Sequence, residues 1–286
     1  MTEHERLMYQ VLGKISETDA PIVFKGALIT KLILEERGFA LLDRQTVDID
    51  ANWIDTPPSM ENLVGTIQKS LGNMRDKFYA VAIREYEEKK SAGISIRAKS
   101  TDDEIMSMDI SIKPVVGSRL YHYGEIGIKG VLANEILADK LTVLSKQLVF
   151  RRAKDLIDVY ALAHCVEVRT SEVFDVLKSK AAPVGEFTEF YNRRDDVEHA
   201  YNKLKRIDEK PPFDDVYPYL TKFVHPFAQK DETPRIWNSG KQVWDDVSRT
   251  TQKPSIRAQL RTATQEARER PASPPRKSKH KDDPER

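Results

Sequence analysis

The stretch Arg44-Gln45-Thr46-Val47-Asp48-Ile49-Asp50 reads as a strand with two different faces. Strand side chains alternate in direction, so Asp48 and Asp50 share one face while Val47, Ile49 and Ala51 share the other. The apolar set calls for a core beneath it, and the acidic set calls for a cation. Carboxylates two residues apart stand about 7 Å from each other, a spacing that flanks one divalent ion or a pair of them. Asp-x-Asp pairs also occur at solvated strand ends and turns, so this pair needs company before it implies chemistry.

Outward from that strand the patterns alternate. Toward the N-terminus, Leu7, Met8, Val11, Leu12 and Ile15 recur at helical spacing, and Ile22-Val23-Phe24 is a short strand. Lys25-Gly26 then opens onto a Leu-rich helix over residues 27–34, with Gly38 as its stop. Toward the C-terminus, Pro57-Pro58 breaks the chain, and Leu63, Ile67, Leu71 and Met74 mark a helical stretch over residues 59–79. Residues 94–98 and 105–112 read as a hairpin about Thr101-Asp102-Asp103. In its second arm Met106, Met108 and Ile110 alternate with Ser107, Asp109 and Ser111, which sets Asp109 on a polar face. From residue 131 to 225 the period is helical, punctuated at Pro183 and Pro211-Pro212. Beyond 229 the chain thins into Pro, Ser, Gln and charge, with Trp237 and Trp244 as candidates to dock a short segment.

With 286 residues, 40% hydrophobic and 32% charged, the chain has the composition of a soluble protein of one large or two modest domains. The net charge of +1 hides an asymmetry, because the last stretch is rich in Arg and Lys, from Lys253 to Arg286, and leaves the body slightly acidic. Cys165 is the sole cysteine, which excludes an intrachain disulfide and fits a reducing interior. There is no bilayer-length apolar run and no signal-peptide core behind Met1-Thr2-Glu3-His4-Glu5-Arg6, so a cytoplasmic location and no membrane partner are expected.

The predicted helix over residues 131–148 breaks its own pattern. Leu132, Ile136, Leu137, Leu141 and Leu144 fall on one arc, Glu135, Asp139 and Lys146 on the opposite one, and Lys140 lands among the apolar set. A lysine there either snorkels to solvent or meets an anion, since burying an unpaired ammonium is strongly unfavourable. In the next helix Asp155 and Asp158 stand three residues apart and share a face, beside Arg151, Arg152 and Lys154. Other polar residues carry less. Adjacent His164 and Cys165 diverge on a helix, His122 reads as a strand residue, His199 and His225 lack companions at metal spacing, and Trp53 reads as core.

Four stretches together resemble the AbiEii/AbiGii toxin family of nucleotidyltransferases, within the DNA polymerase β-like superfamily. They are Phe24-Lys25-Gly26-Ala27-Leu28, the strand from Arg44 to Asp50, Asn134-Glu135-Ile136-Leu137-Ala138-Asp139-Lys140-Leu141, and Arg152-Ala153-Lys154-Asp155-Leu156-Ile157-Asp158-Val159-Tyr160. The resemblance implies an α+β fold: a nucleotidyltransferase core with a mixed sheet over residues 1–130, a helical domain over 131–228 that contributes to the cleft, and a largely disordered basic tail over 229–286. It implies magnesium, with manganese as a substitute, held by Asp48, Asp50 and Asp109. It places Lys25, Gly26, Ala27, Lys140 and Asp155 on the nucleotide, and Asp48, Asp50, Asp109, Lys140 and Asp158 in catalysis, with Asp109 or Asp158 orienting the acceptor. Where the superfamily often has Gly-Ser in its phosphate-binding turn, this chain has Gly26-Ala27, which removes one hydroxyl ligand.

The function so implied is metal-dependent transfer of a nucleotide from a nucleoside triphosphate to an RNA acceptor such as the tRNA 3′ end, in a toxin countered by a cognate antitoxin. Two alternatives remain open at the level of sequence. One is a catalytically weak binding module acting through a protein partner, for which Ala27 speaks. The other is transfer to a protein hydroxyl or a small molecule.

Overall fold

The computed structural model describes residues 2–39, 46, 48–86, 91–146, 148–205, 207 and 210–247. Arg44, Gln45 and Val47 of the opening motif, and the basic tail from residue 248 onward, lie outside the described residues.

Helix α1 (Glu3–Ser16) begins with a capping box in which Thr2 and Glu5 satisfy each other's backbone donors. Glu5 is buried and is neutralised by Lys31 Nζ at 2.6 Å, which ties α1 to the second helix. Strand β1 (Ile22–Lys25) runs directly into α2 (Gly26–Glu36), and β2 (Asp48–Trp53) carries the acidic pair. Helix α3 (Met60–Ser70) leads through a 3-10 turn, Gly72–Asp76, to β3 (Phe78–Arg84). The expected hairpin forms from β4 (Ala92–Ala98) and β5 (Glu104–Ser111), and Asp102 supplies the left-handed turn residue at φ 62. A second hairpin, β6 (Ser118–Tyr123) and β7 (Ile126–Val131), completes the sheet.

The seven strands lie in the order β3-β4-β5-β2-β1-β7-β6. β2 runs parallel to β5 and β1 parallel to β7, while the other neighbours are antiparallel, so the sheet is mixed. Ile49, Ala51 and Trp53 of β2 and Met106, Met108 and Ile110 of β5 are buried, whereas Asp48 and Asp109 are exposed. The period of two read from the sequence thus separates core from polar face as expected.

Helices follow from residue 133: α4 (Ala133–Leu144), α5 (Ala153–Cys165), α6 (Thr170–Ser179), α7 (Thr188–Asn192), α8 (Arg194–Asn202) and α9 (Phe213–Ala228). Because α2 packs on both α4 and α5, the hydrophobic core continues from the sheet into these helices. Past residue 229, where the sequence reading began the tail, β8 (Arg235–Asn238) and β9 (Val243–Asp246) pair with each other. Trp237 explains this: it is buried against α9, its indole donates to Tyr219 Oη at 2.8 Å, and Trp244 donates to the Phe223 carbonyl at 3.1 Å. Two tryptophans supply the apolar area that the surrounding polar sequence lacks. Among the described residues no helix is long and apolar enough to cross a membrane.

Candidate nucleotidyl transfer site

Gly26 is the hinge between β1 and α2. Its φ of 72 is a left-handed conformation natural to glycine, and a Cβ at this position would overlap the Oδ2 of Asp50. The turn and the second aspartate are therefore in contact, with the N-terminus of α2 directly behind them. Backbone amides at such a terminus favour an anion, and the Lys25 side chain does not cap them. Ala27 follows in the first turn of α2 and offers no side-chain donor.

Lys25 reaches elsewhere. Its Nζ donates to Asn52 Oδ1 at 2.6 Å and to Ser111 Oγ at 3.0 Å, joining β1, β2 and β5 across the polar face. Asn52 is fully buried and its Nδ2 has no hydrogen-bond partner among the described residues. Burial lowers the Lys25 pKa, and the negative charges of Asp139 and Asp50 only partly restore it.

The three strand carboxylates sit in different surroundings. Asp48 is exposed and accepts a hydrogen bond from Ser107 Oγ at 3.1 Å. Asp50 is the most enclosed. Burial raises its pKa, the neighbouring charge of Asp109 adds to the rise, and Lys25, Lys140 and Lys154 oppose it. Asp50 and Asp109 are register partners across the parallel β2–β5 pair. Asp109, half exposed, is held by Arg84 Nη2 at 2.5 Å. Among the described residues no group of three or more His, Cys, Asp or Glu is gathered closely enough to hold a metal ion.

Lys140 has its anions within the protein. Its ammonium donates to Asp155 Oδ1 at 2.8 Å and to Asp158 Oδ2 at 2.6 Å, and Arg152 Nε donates to Asp155 Oδ2 at 2.7 Å. The sequence reading paired this lysine with a bound triphosphate, but the ion pair with α5 is what accounts for its place on the apolar arc. Burial works against the ammonium, yet Asp158 and Asp155 outweigh it and hold the Lys140 pKa above its ordinary value. Burial likewise opposes the Asp155 carboxylate, and Lys140 more than compensates, so that pKa is lowered. The cluster still acts on the sheet, because its lysine is among the charges felt by Asp50.

The structure thus brings Gly26, Asp50, Asp109, Lys25 and Lys140 into one electrostatic neighbourhood. Asp155 and Asp158 join it through Lys140, and Asp48 stands at its exposed margin. Sequence reasoning missed Asn52 and Ser111, although both share the polar alternation of Asp50 and Asp109. It also missed Arg84, for which no local pattern speaks. The residues set aside stay aside: His164 Nδ1 faces the Tyr160 carbonyl at 2.8 Å, and partial burial pushes the pKa of the Cys165 thiol up to about 11. Trp53 is core and donates to the Thr56 carbonyl at 3.0 Å.

Comparison with known proteins follows the same lines. Among solved structures the chain resembles MenT4, the nucleotidyltransferase toxin Rv2826c of Mycobacterium tuberculosis H37Rv, at 14% identity and a TM-score of 0.46, over 79% of this chain and 80% of that one. It also resembles an antigenic nucleotidyltransferase-like protein from Paracoccidioides brasiliensis, at 12% identity and a TM-score of 0.39, over 70% of this chain and 92% of the other. The Megavirus polyadenylate synthase matches at 10% identity and a TM-score of 0.34, over 95% of this chain and 50% of that protein. No curated protein sequence matches the chain. Residues 6–238 match the family described as nucleotidyl transferase AbiEii toxin of type IV toxin–antitoxin systems, and the chain belongs to that family.

Proposed function

We propose that this nucleotidyltransferase toxin transfers a nucleotide from a nucleoside triphosphate to an RNA hydroxyl, with the tRNA 3′ end as the acceptor to test first. The observation that carries the reading is the contact between the Gly26 turn and Asp50, in reach of the fields of Lys25, Lys140 and Lys154. A phosphate-binding turn, an enclosed carboxylate and three ammonium groups make a site suited to a highly charged substrate.

In the reaction the acceptor oxygen bonds to the α-phosphorus, the bond from that phosphorus to the bridging oxygen breaks, and pyrophosphate leaves. The acceptor hydroxyl gives up its proton. Asp109 is better suited to receive it than Asp158, because Asp158 is buried behind Lys140 whereas Asp109 is half exposed and its partner Arg84 is exposed too. Lys140, held upright by α5, places a fixed positive charge beside Asp50 without being consumed. Asp155 and Asp158 are accordingly positioning residues, and Lys25 braces three strands beneath the turn.

Magnesium, or manganese in its place, suits the donor set. Asp48, Asp50 and Asp109 offer hard oxygen donors on one polar face, and Asp50 is a half-buried carboxylate whose charge a cation would relieve. Such ions take one or two carboxylates and complete their shell with water and phosphate oxygens, so the protein alone need not gather three ligands. When bound, the ion neutralises phosphate charge.

The test is magnesium-dependent transfer of label from each of the four nucleoside triphosphates into total RNA, comparing the native chain with Asp48→Ala, Asp50→Ala and Lys140→Ala. Label in RNA that all three variants lose supports the reading, and equal incorporation by all four proteins rejects it. Ala27 favours one other reading, a catalytically weak module that acts by binding a protein partner such as the cognate antitoxin. Triphosphate binding with no label in any pool would support that one, whereas label confined to the protein pool would replace the RNA acceptor by a protein hydroxyl.

A further inference from the structure

The charged groups of the sheet form a single cross-strand row. Arg84 on β3 pairs with Gly93 on β4, Gly93 with Asp109 on β5, Asp109 with Asp50 on β2, and Asp50 with Lys25 on β1. Read along five neighbouring strands, the order is cation, glycine, carboxylate, carboxylate, cation. Adjacent strands lie about 4.8 Å apart, so the backbones of Arg84 and Asp109 are two spacings from each other. Even so, Arg84 Nη2 stands 2.5 Å from Asp109 Oδ1.

Three features let the guanidinium cross β4. The register shifts between Ala82 and Arg84, a bulge that re-aims the side chain. Gly93 leaves its path open, since a Cβ there would meet Ile83 Cγ1 at 3.0 Å and Arg84 Cβ at 3.1 Å. Ser91 then steadies the crossing group, its carbonyl accepting from Nε at 3.1 Å and its hydroxyl from Nη2 at 2.9 Å. Fold stability is a poor reason for such an arrangement, because the side chains of Arg84 and Asp109 are 45% and 50% exposed and pairs of that kind contribute little.

The same contact occupies one of the strand carboxylates. Arg84 approaches Asp109 from the β4 side, opposite to Asp50 on β2. A guanidinium binds carboxylate and phosphate by the same planar fork. We propose that Arg84 is a further substrate-binding residue that exchanges partners: it holds Asp109 when no triphosphate competes for it, and takes triphosphate oxygens once Asp109 turns to a divalent cation beside Asp50. The inference rests on the metal and triphosphate reading above, and it adds a residue outside the four sequence stretches. The phosphates are the natural second partner, because Asp109 neighbours Asp50 and Asp50 touches the Gly26 turn.

The exchange has a crossed signature. Manganese binding, followed by the electron paramagnetic resonance of the free ion, is expected to be about two- to fivefold tighter in Arg84→Gln than in the native chain, the loss of one exposed competing ion pair. Binding of manganese tripolyphosphate, a probe with no base, is expected to weaken about tenfold in the same variant, the loss of a charge-assisted contact. Gly93→Val keeps the arginine but closes its path, and is expected to shift both affinities in the same directions. Melting temperatures check that each variant is folded. Manganese affinity unchanged or weakened in Arg84→Gln, or tripolyphosphate affinity unchanged, overturns the exchange. Manganese binding that is absent from the native chain, or indifferent to Asp50→Ala, overturns the reading of the metal site and the exchange with it.

Discussion

Two charged regions flank the Gly26 turn, and they are built on opposite terms. In the Lys140 cluster, one ammonium on α4 meets two carboxylates of α5, one of which also accepts from the Arg152 guanidinium, and only 11% of the lysine side chain remains exposed. On the sheet, Asp50 is enclosed without a direct ion pair among the described residues, and its neighbours Asp48 and Asp109 reach solvent. Charges taken out of water are tolerated when partnered and unfavourable when not. The helical cluster is thus a finished structure, while the sheet face keeps carboxylates that a cation would stabilise. Under the proposed function, one region holds the site in shape and the other is the site.

That contrast gives the largest expected effect. Lys140→Ala takes from the buried Asp155 and Asp158 the ammonium they share, leaving Asp155 with Arg152, and removing one member of a buried pair costs about 3–5 kcal/mol. Asp48→Ala, on the exposed margin, is expected to abolish label transfer while its urea midpoint stays that of the native chain. If denaturation shows the two variants equally stable, the division into a supporting and a reacting region is broken.

Next in size is the hinge. Gly26→Ala must hold a left-handed backbone and also push against Asp50, a strain of about 1–3 kcal/mol that falls on the reacting region alone. Transfer is expected to fall by more than the loss of folded protein explains, because the overlap displaces the carboxylate itself. Activity that tracks the folded fraction, measured by circular dichroism on the same samples, would reduce Gly26 to a residue of the fold.

The two regions were also unequally legible in the sequence. Alternation by two residues is a short-range signal, and it set Asp48 and Asp50 on one face of their strand and Asp109 on the polar face of another. Lys140 announced itself by violating a helical period, but its answer lay 15 and 18 residues onward in α5, where the identity of the partner is a matter of helix packing. Arg84 gave no signal, since its contact depends on a bulge and on a glycine in a different strand. The β8–β9 pair was legible in part: Trp237 and Trp244 marked a docked segment and do anchor it onto α9, while the polar average composition around them gave no sign of strands. Periodicity reports faces of single elements, and what crosses between elements must be seen.

The smallest expected effect is the one that sets the regions directly against each other. Asp155 has a lowered pKa, so the stability it contributes is present above the unfolded value near 3.8 and is lost as pH falls through its folded pKa. Asp50 has a raised pKa, so its folded state binds the proton more tightly, and stability is lost as pH rises from 3.8 through its folded pKa. The helical cluster therefore weakens on the acid side of that value and the empty sheet face weakens on the other. Urea midpoints taken across this range are expected to flatten on the acid side in Asp155→Asn and on the upper side in Asp50→Asn. Added magnesium should mimic Asp50→Asn in the native chain and leave the Asp155 limb untouched, because only the sheet carboxylate lacks a resident cation. A magnesium effect on the acid limb would instead place the ion at the helices and exchange the roles of the two regions.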